Sequence, residues 1–384
     1  MKTKLLFWFG LNLFFLVQAK AQLPNEVLID STDWVQTEGK PFELAVKNTN
    51  YLRNTEYFNR IEEGRTLFGY QLHPSLSYRA HPAIKLETGL WLRHDFGGNN
   101  PFTTALPTFS LRAKGAYSEL IFGTLDGALS HGLLEPMLDI NAVITQRIEN
   151  GFQFKFKRGA LKADNWINWQ NYIEPGAFDK ERFTAGVNWN LRLHENANAR
   201  LETYYMATVF HQGGQIDIDT IQPFLMMVND AVGVKYQRKL SQDVHWFAEA
   251  SMLRYMETSD SKLYPEKQGM GYYANLGFAN KGLHIMMSYW QGNHFISPGG
   301  TQIYQSVSSA DKQYYERNRQ LLFTRFIYNK ALYQSPVMAS ARFEPIYDLN
   351  NGIFDFSFSL YLSYRFSCGF GSYKTATRSK INLM

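Results

Sequence analysis

From Phe354 to Phe366 the chain reads FDFSFSLYLSYRF. Phe354, Phe356, Phe358, Leu360, Leu362, Tyr364 and Phe366 occupy one set of alternate positions; Asp355, Ser357, Ser359, Tyr361, Ser363 and Arg365 occupy the other. A two-residue period is a β-strand with one apolar and one polar face. The same alternation recurs in 68–79, 84–93, 152–157 and 183–193, and with more blemishes around 201–210, 244–255, 283–290 and 337–347. These segments run to about 9–15 residues, longer than ordinary soluble strands and close to a tilted membrane-spanning strand.

The beginning of the chain sets the compartment. Lys2 and Lys4 precede an apolar run, Leu5–Val17, and Ala19-Lys20-Ala21 supplies a small-x-small cleavage site. Residues 1–21 therefore read as a secretory signal peptide, with the mature chain starting near Gln22. Their loss removes Lys2, Lys4 and Lys20 and no acid. That leaves 36 basic against 34 acidic residues, so the net charge falls from +5 to +2. No nucleic-acid partner is expected from that balance. Cys368 is the single cysteine, so an intrachain disulfide is excluded. No later apolar run reaches the length of a membrane helix. A chain of this kind that enters a membrane must do so as a closed barrel, because only closure satisfies strand backbones in lipid.

Connection lengths point the same way. Short polar turns at 79–83, 113–116, 157–160, 194–198, 240–243, 279–282 and 330–335 alternate with mostly longer connections at 94–103, 127–149, 173–181, 211–225, 257–268 and 292–317. Connections near 60–65 and 348–352 are short as well. Short turns at one rim and long loops at the other are the asymmetry of an outer-membrane barrel. The expected fold is an all-β, up-and-down antiparallel transmembrane barrel of about sixteen strands, with fourteen to eighteen admissible. The first strand and the one near 321–330 carry the weakest pattern. The expected organisation is signal peptide 1–21, periplasmic segment 22–41, barrel 42–366 and periplasmic tail 367–384. A soluble β-sandwich would also alternate, but it needs no rim asymmetry.

The signal peptide, the strand pattern and the aromatic-ended FDFSFSLYLSYRF together resemble a Gram-negative outer-membrane β-barrel of the general-porin size class. The resemblance implies outer-membrane lipid around the barrel and insertion by the barrel-assembly machinery, which reads such a last strand. It also implies a possible homo-oligomer. One departure stands out: the chain continues past Phe366 as SCGFGSYKTATRSKINLM.

A barrel of this width leaves a lumen lined by the polar set of each strand. That set supplies Lys85, Glu87, Arg93, Arg112, Lys155, Arg192, Lys235, Arg342 and Arg365 as pore lining, with more basic than acidic members. A weak anion preference follows, unless the charges pair across strands. The loop 127–149, GALSHGLLEPMLDINAVITQRIE, is too apolar to be freely solvated. In general porins the constriction loop also follows the fifth strand. Folded inward, this loop would present His131, Glu135 and Asp139 as a pore constriction. Packing over the outer mouth and a subunit contact are its alternatives. The polar loop 292–317 reads as an exposed surface loop.

Candidate active sites fall short. Ser130-His131 with Asp126 or Asp139 invites a hydrolase triad, but adjacency does not supply triad geometry. His131 and Glu135 are two potential zinc ligands without a third. Trp166 and Trp169 suit a sugar platform or an interfacial belt equally. The expectation is thus a passive porin-like channel for small hydrophilic solutes, not an enzyme, with no catalytic residue, metal or cofactor. The alternative is a barrel that engages polysaccharide through its long loops, or less readily a barrel-embedded hydrolase.

Overall fold

The computed structural model describes residues 24–25, 27–29, 40–214, 216, 218–219, 221–311, 313–332 and 336–372. The expected signal peptide 1–21 lies outside them, as do 373–384 of the expected tail. The alternating segments form sixteen antiparallel strands, each bonded to its chain neighbour, and the last closes on the first. The strands are β1 (Phe42–Glu56), β2 (Thr66–His81), β3 (Ile84–Asp95), β4 (Thr104–Lys114), β5 (Ser118–Thr124), β6 (Asn150–Arg158), β7 (Leu161–Asn171) and β8 (Arg182–Glu195). Then follow β9 (Ala199–Gln212), β10 (Leu225–Lys239), β11 (Val244–Glu257), β12 (Gln268–Asn280), β13 (Leu283–Asn293), β14 (Asn318–Ala331), β15 (Val337–Asp348) and β16 (Ile353–Phe370).

The last strand overruns the expected end at Phe366. Ser367, Cys368, Gly369 and Phe370 pair with Ala45, Leu44, Glu43 and Phe42, so the start of the expected tail belongs to the wall. Phe42 stacks on both Phe370 and Tyr78 at this seam, with ring centroids 5.5 and 4.9 Å apart.

The two faces of β16 show which way the wall points. Asp355, Ser357, Ser359 and Tyr361 are buried, whereas Phe354, Phe358, Leu360, Leu362, Tyr364 and Phe366 are exposed on the outside. An apolar outer surface and a polar interior invert the soluble arrangement, and lipid is the solvent that the outer set requires. Both chain ends of the barrel lie at the rim of short turns, and the long connections share the other rim.

The interior is packed. The connection 125–149 folds inward as two 3₁₀ turns, Ala128–His131 and Glu135–Met137, followed by the short helix α1 (Ile140–Thr145). Leu133, Leu134, Met137, Leu138 and Val143 of this loop share one buried cluster with Trp166, Tyr204, Met227, Tyr273, Trp290 and Tyr304. Burying each aliphatic side chain is worth roughly 1.5–3 kcal/mol, which accounts for the inward fold of so apolar a segment. Part of the connection 294–317 also enters. Phe295, Ile296, Ile303 and Tyr304 are at most 1% exposed, which corrects the expectation of a wholly surface-exposed loop. Pro298, Gly299, Ser309 and Ala310 of the same connection are exposed.

A third insertion comes from the N-terminal side. Val27 and Leu28 are buried against Tyr51, Ile144 and Tyr361. Arg342 donates to Asn25 Oδ1 at 2.6 Å and to the Pro24 carbonyl at 3.1 Å. Residues 24–25 and 27–29 therefore sit inside the barrel, although 22–41 was expected as a periplasmic segment. Where rings lie flat on the wall, glycine makes the room: a Cβ on Gly271 would come 2.1 Å from Trp290, and one on Gly233 would come 2.4 Å from Tyr204.

Candidate functional site

The three residues expected at a constriction are placed in separate bonding sets. His131, 1% exposed, stacks on Trp166 with centroids 3.8 Å apart. Its Nδ1 lies 2.9 Å from Asp164 and its Nε2 lies 2.8 Å from Glu149. Burial pushes its pKa down, but the Glu149 and Asp164 carboxylates outweigh burial and hold it above the ordinary histidine value. A ring with both nitrogens bound to carboxylates is a buried cation, not a general base. Ser130 Oγ is buried without a hydrogen-bond partner, so no Ser-His-Asp triad forms here.

Glu135 Oε2 accepts from Tyr273 at 2.7 Å and Tyr304 at 2.9 Å, and pairs with Arg325. Asp139 caps α1 by accepting from the Asn141 N–H at 2.8 Å. It also receives the second inserted loop: the Asp139 N–H donates to the Gly299 carbonyl at 2.8 Å, and Thr301 Oγ1 donates to the Leu138 carbonyl at 2.9 Å. His131 and Glu135, considered as zinc ligands and set aside, are bonded into separate sets, and no group of three or more potential metal ligands occurs among the described residues.

The expected pore-lining charges all fall on the inward set, where most of them pair with acidic neighbours. Lys85 pairs with Glu87 at 2.9 Å, Arg93 with Asp95 at 2.9 Å and Arg112 with Glu119 at 3.3 Å. Asp126 takes both Arg112 and Lys155. Arg192 pairs with Glu195 at 2.5 Å at the turn rim, and Arg365 with Glu43 at 3.6 Å. Lys235 is buried 4.4 Å above the Phe247 ring, and Arg342 holds the N-terminal insertion.

Sequence reading missed the central pairs. Arg53 meets Glu344 at 2.9 Å and Arg319 meets Asp348 at 2.8 Å, while Arg325 joins Glu135 to the same network. Arg53 and Arg325 come from the two strands with the weakest pattern.

The lipid-facing side of β1 was missed as well. Its outward set begins with Phe42, Leu44 and Val46 but continues with Asn48, Asn50, Leu52, Asn54 and Glu56. These polar groups are bonded into a ladder. Asn48 Nδ2 donates to the Gln71 carbonyl at 3.0 Å, and Asn50 Nδ2 donates to Asn48 Oδ1 at 2.5 Å. Near the long-loop rim, Thr66 Oγ1 donates to Asn54 Oδ1 at 2.6 Å and Asn54 Nδ2 donates to Glu56 Oε1 at 2.5 Å. A hydroxyl, an amide and a carboxylate thus stand in line on a face that otherwise meets hydrocarbon. Uncompensated polar groups are costly there. The outward pair Arg254–Asp230 differs, because its two-bond fork at 2.9 and 3.0 Å neutralises it. Parity alone exposes the β1 ladder: 48, 50, 54 and 56 share their register with Phe42 and Leu44.

A closed sixteen-strand barrel, apolar outside and polar within, defines an outer-membrane β-barrel protein. Solved structures share the fold. OprD of Pseudomonas aeruginosa is 10% identical over 88% of this chain and 97% of its own, with a TM-score of 0.52. A loop-deletion mutant of OmpT of Vibrio cholerae is 8% identical over 86% and 100%, also with a TM-score of 0.52. No curated protein matches the chain. Residues 34–372 match the family model described as lipid A 3'-O-deacylase-type, and the chain belongs to that family. Membership overturns the expectation of a non-enzymatic barrel, since the family description is that of an acyl-ester-cleaving activity.

Proposed function

We propose that the chain acts in the outer membrane as an ester hydrolase that removes an acyl chain from lipid A. The observation that carries this reading is the family match across essentially the whole barrel, 34–372. The lipid-facing ladder on β1 supports it, because an acyl ester reaches the protein from the bilayer and not through the lumen. Glu56 is the ladder's acid–base group. As general base it takes a proton from water while the water oxygen attacks the ester carbonyl. The sugar oxygen then leaves with that proton, giving a free fatty acid and a sugar hydroxyl. Asn54, fixed between Thr66 and Glu56, orients the carboxylate. The test is fatty-acid release from lipid A by the purified barrel in vesicles. Release that falls by about 10²-fold or more in Glu56→Gln, with the barrel still folded, is expected. Equal release by wild type and Glu56→Gln would remove Glu56 from the mechanism, and no release by the wild type would remove the activity.

A second reading is passage of small hydrophilic solutes through the lumen, with a weak anion preference. The cavity of about 420 Å³ in its short-turn half favours it. Passage requires the inserted residues 24–25, 27–29, 125–149 and 295–306 to move, since together they pack the interior. The interior ion pairs weaken the case for anion preference. Steady wild-type conductance in a planar bilayer would support this reading, and a silent, folded barrel would count against it.

A further inference from the structure

Two neighbouring connections at the long-loop rim present apolar side chains to their surroundings. Tyr172 and Phe178, between β7 and β8, are 75% and 74% exposed, and Ile221, between β9 and β10, is 92% exposed. Ile216, Ile218 and Phe224 of the second connection are exposed as well. Apolar surface gathered in this way marks contact with a partner or a membrane.

The two connections are bonded to each other. The Gly176 N–H donates to the Ile216 carbonyl and the Ile218 N–H donates to the Ala177 carbonyl, both at 3.1 Å. Lys180 Nζ donates to the Asp219 carbonyl at 2.6 Å, and the Gly213 N–H donates to the Glu181 carbonyl at 2.9 Å. Asp219 Oδ1 accepts from the Ile221 N–H at 2.7 Å, which fixes the turn that presents Ile221. The apolar side chains thus stand on a two-segment flap and not on independent loops.

The wall beneath the flap indicates what covers it. Trp169 on β7 is directly opposite Phe183 on β8, and Phe183 is directly opposite His211 on β9. All three lie on the outward set, and their rings stack with centroids 5.2 and 4.6 Å apart. Phe224 extends the row, its ring edge-on to His211 at 5.4 Å. An aromatic row on the outer wall at a rim is the girdle where hydrocarbon gives way to headgroups. Phe224 belongs to the row and to the flap, so the lipid-facing surface continues through it into the connections. Glu174 and Asp179 of the first connection are also exposed. Carboxylates are costly in hydrocarbon, which sets the flap at headgroup level with only its apolar tips below.

We propose that the described residues of 172–181 and 213–224 form a docking surface for outer-leaflet lipid, with Phe178 and Ile221 seated at the boundary between headgroups and acyl chains. The surface extends the hydrophobic belt on the β7–β10 side, across the barrel from β1, so it stands or falls independently of ester hydrolysis.

The test is spin-label accessibility in the full-length barrel, refolded into vesicles of phosphatidylethanolamine and phosphatidylglycerol. Cys368 is the single cysteine, so Cys368→Ser allows one nitroxide to be placed through Phe178→Cys or Ile221→Cys. Leu360→Cys, on the outer face of β16, is the hydrocarbon reference, and Ala310→Cys, on an exposed stretch of a long connection, is the water reference. Heat-modifiable gel mobility establishes that each variant is folded. Expected at both 178 and 221 is a loss of accessibility to a water-soluble nickel chelate relative to 310, with oxygen accessibility close to that at 360. Nickel accessibility equal to that at 310, at either position, would overturn the proposal. Shielding of the label from both reagents would overturn it too, as would spectral broadening that unlabelled barrel dilutes away. Either of those results would put protein, and not lipid, against the flap.

Discussion

His131 shows how a residue with the look of catalysis is used as structure. Stacked on Trp166 and bound at both nitrogens by carboxylates, it ties the inserted loop to β7 and to Glu149, the residue before β6. Replacing it with Phe keeps the stack and leaves Asp164 and Glu149 buried without their cation. A cost of about 3–5 kcal/mol follows, read as a lower unfolding midpoint in detergent. The pH dependence has a definite sign. The folded-state pKa is raised, so the contribution is full below the ordinary histidine value and is lost as pH rises through the higher folded value. The wild-type midpoint should therefore drop between neutral and alkaline pH by more than that of His131→Phe. Parallel pH curves would contradict the ion-pair account. Glu62, in the β1–β2 connection, acts in the same direction: burial and then Asp139 push its carboxyl above the ordinary range. Glu62→Gln should accordingly stabilise the barrel at pH 8 more than at pH 5, in the same unfolding assay.

At the scale of elements, the strands were legible because lipid enforces parity: one misplaced polar group on the outer face has no water to rescue it. The patterns in 183–193 and 354–366 became β8 and β16 with the expected faces. β1 was hard to read for a physical reason, since its outer set mixes Leu44 and Leu52 with Asn48, Asn50, Asn54 and Glu56. The inserted loop was legible from its apolar content. The burial of Phe295, Ile296, Ile303 and Tyr304 was not, because it depends on contacts between segments far apart in the chain, such as Thr301 with Leu138. The same long range hid Arg325 and Arg319, whose partners Glu135 and Asp348 lie on other elements. Two predictions belong here. Gly271→Val would drive a side chain into Trp290, which donates to the Tyr304 carbonyl at 3.0 Å. A loss of about 1–3 kcal/mol and faster proteolysis within 295–317 are expected; unchanged proteolysis would contradict the packing of that loop on the wall. Deleting 130–144 should convert a silent barrel into a conducting one in a planar bilayer, whereas a silent deletion barrel would show that the other inserted segments close the lumen without it.

For the whole molecule, a wide barrel has been given a largely packed interior. Three insertions and a network of ion pairs occupy what a sixteen-strand wall would otherwise leave to water. Such a core frees the outer surface to carry a site without the wall collapsing or leaking, which suits chemistry performed on a lipid. Shared architecture with OprD and OmpT accordingly says how the chain crosses the membrane, while family membership motivates the use proposed for the wall. The most direct test is mass spectrometry of lipid A from outer membranes that carry the wild-type chain, the Glu56→Gln variant, or neither. The account predicts lipid A lighter by one ester-linked acyl chain with the wild type alone. Lipid A of identical mass in all three membranes, with the barrel folded and inserted, would contradict it.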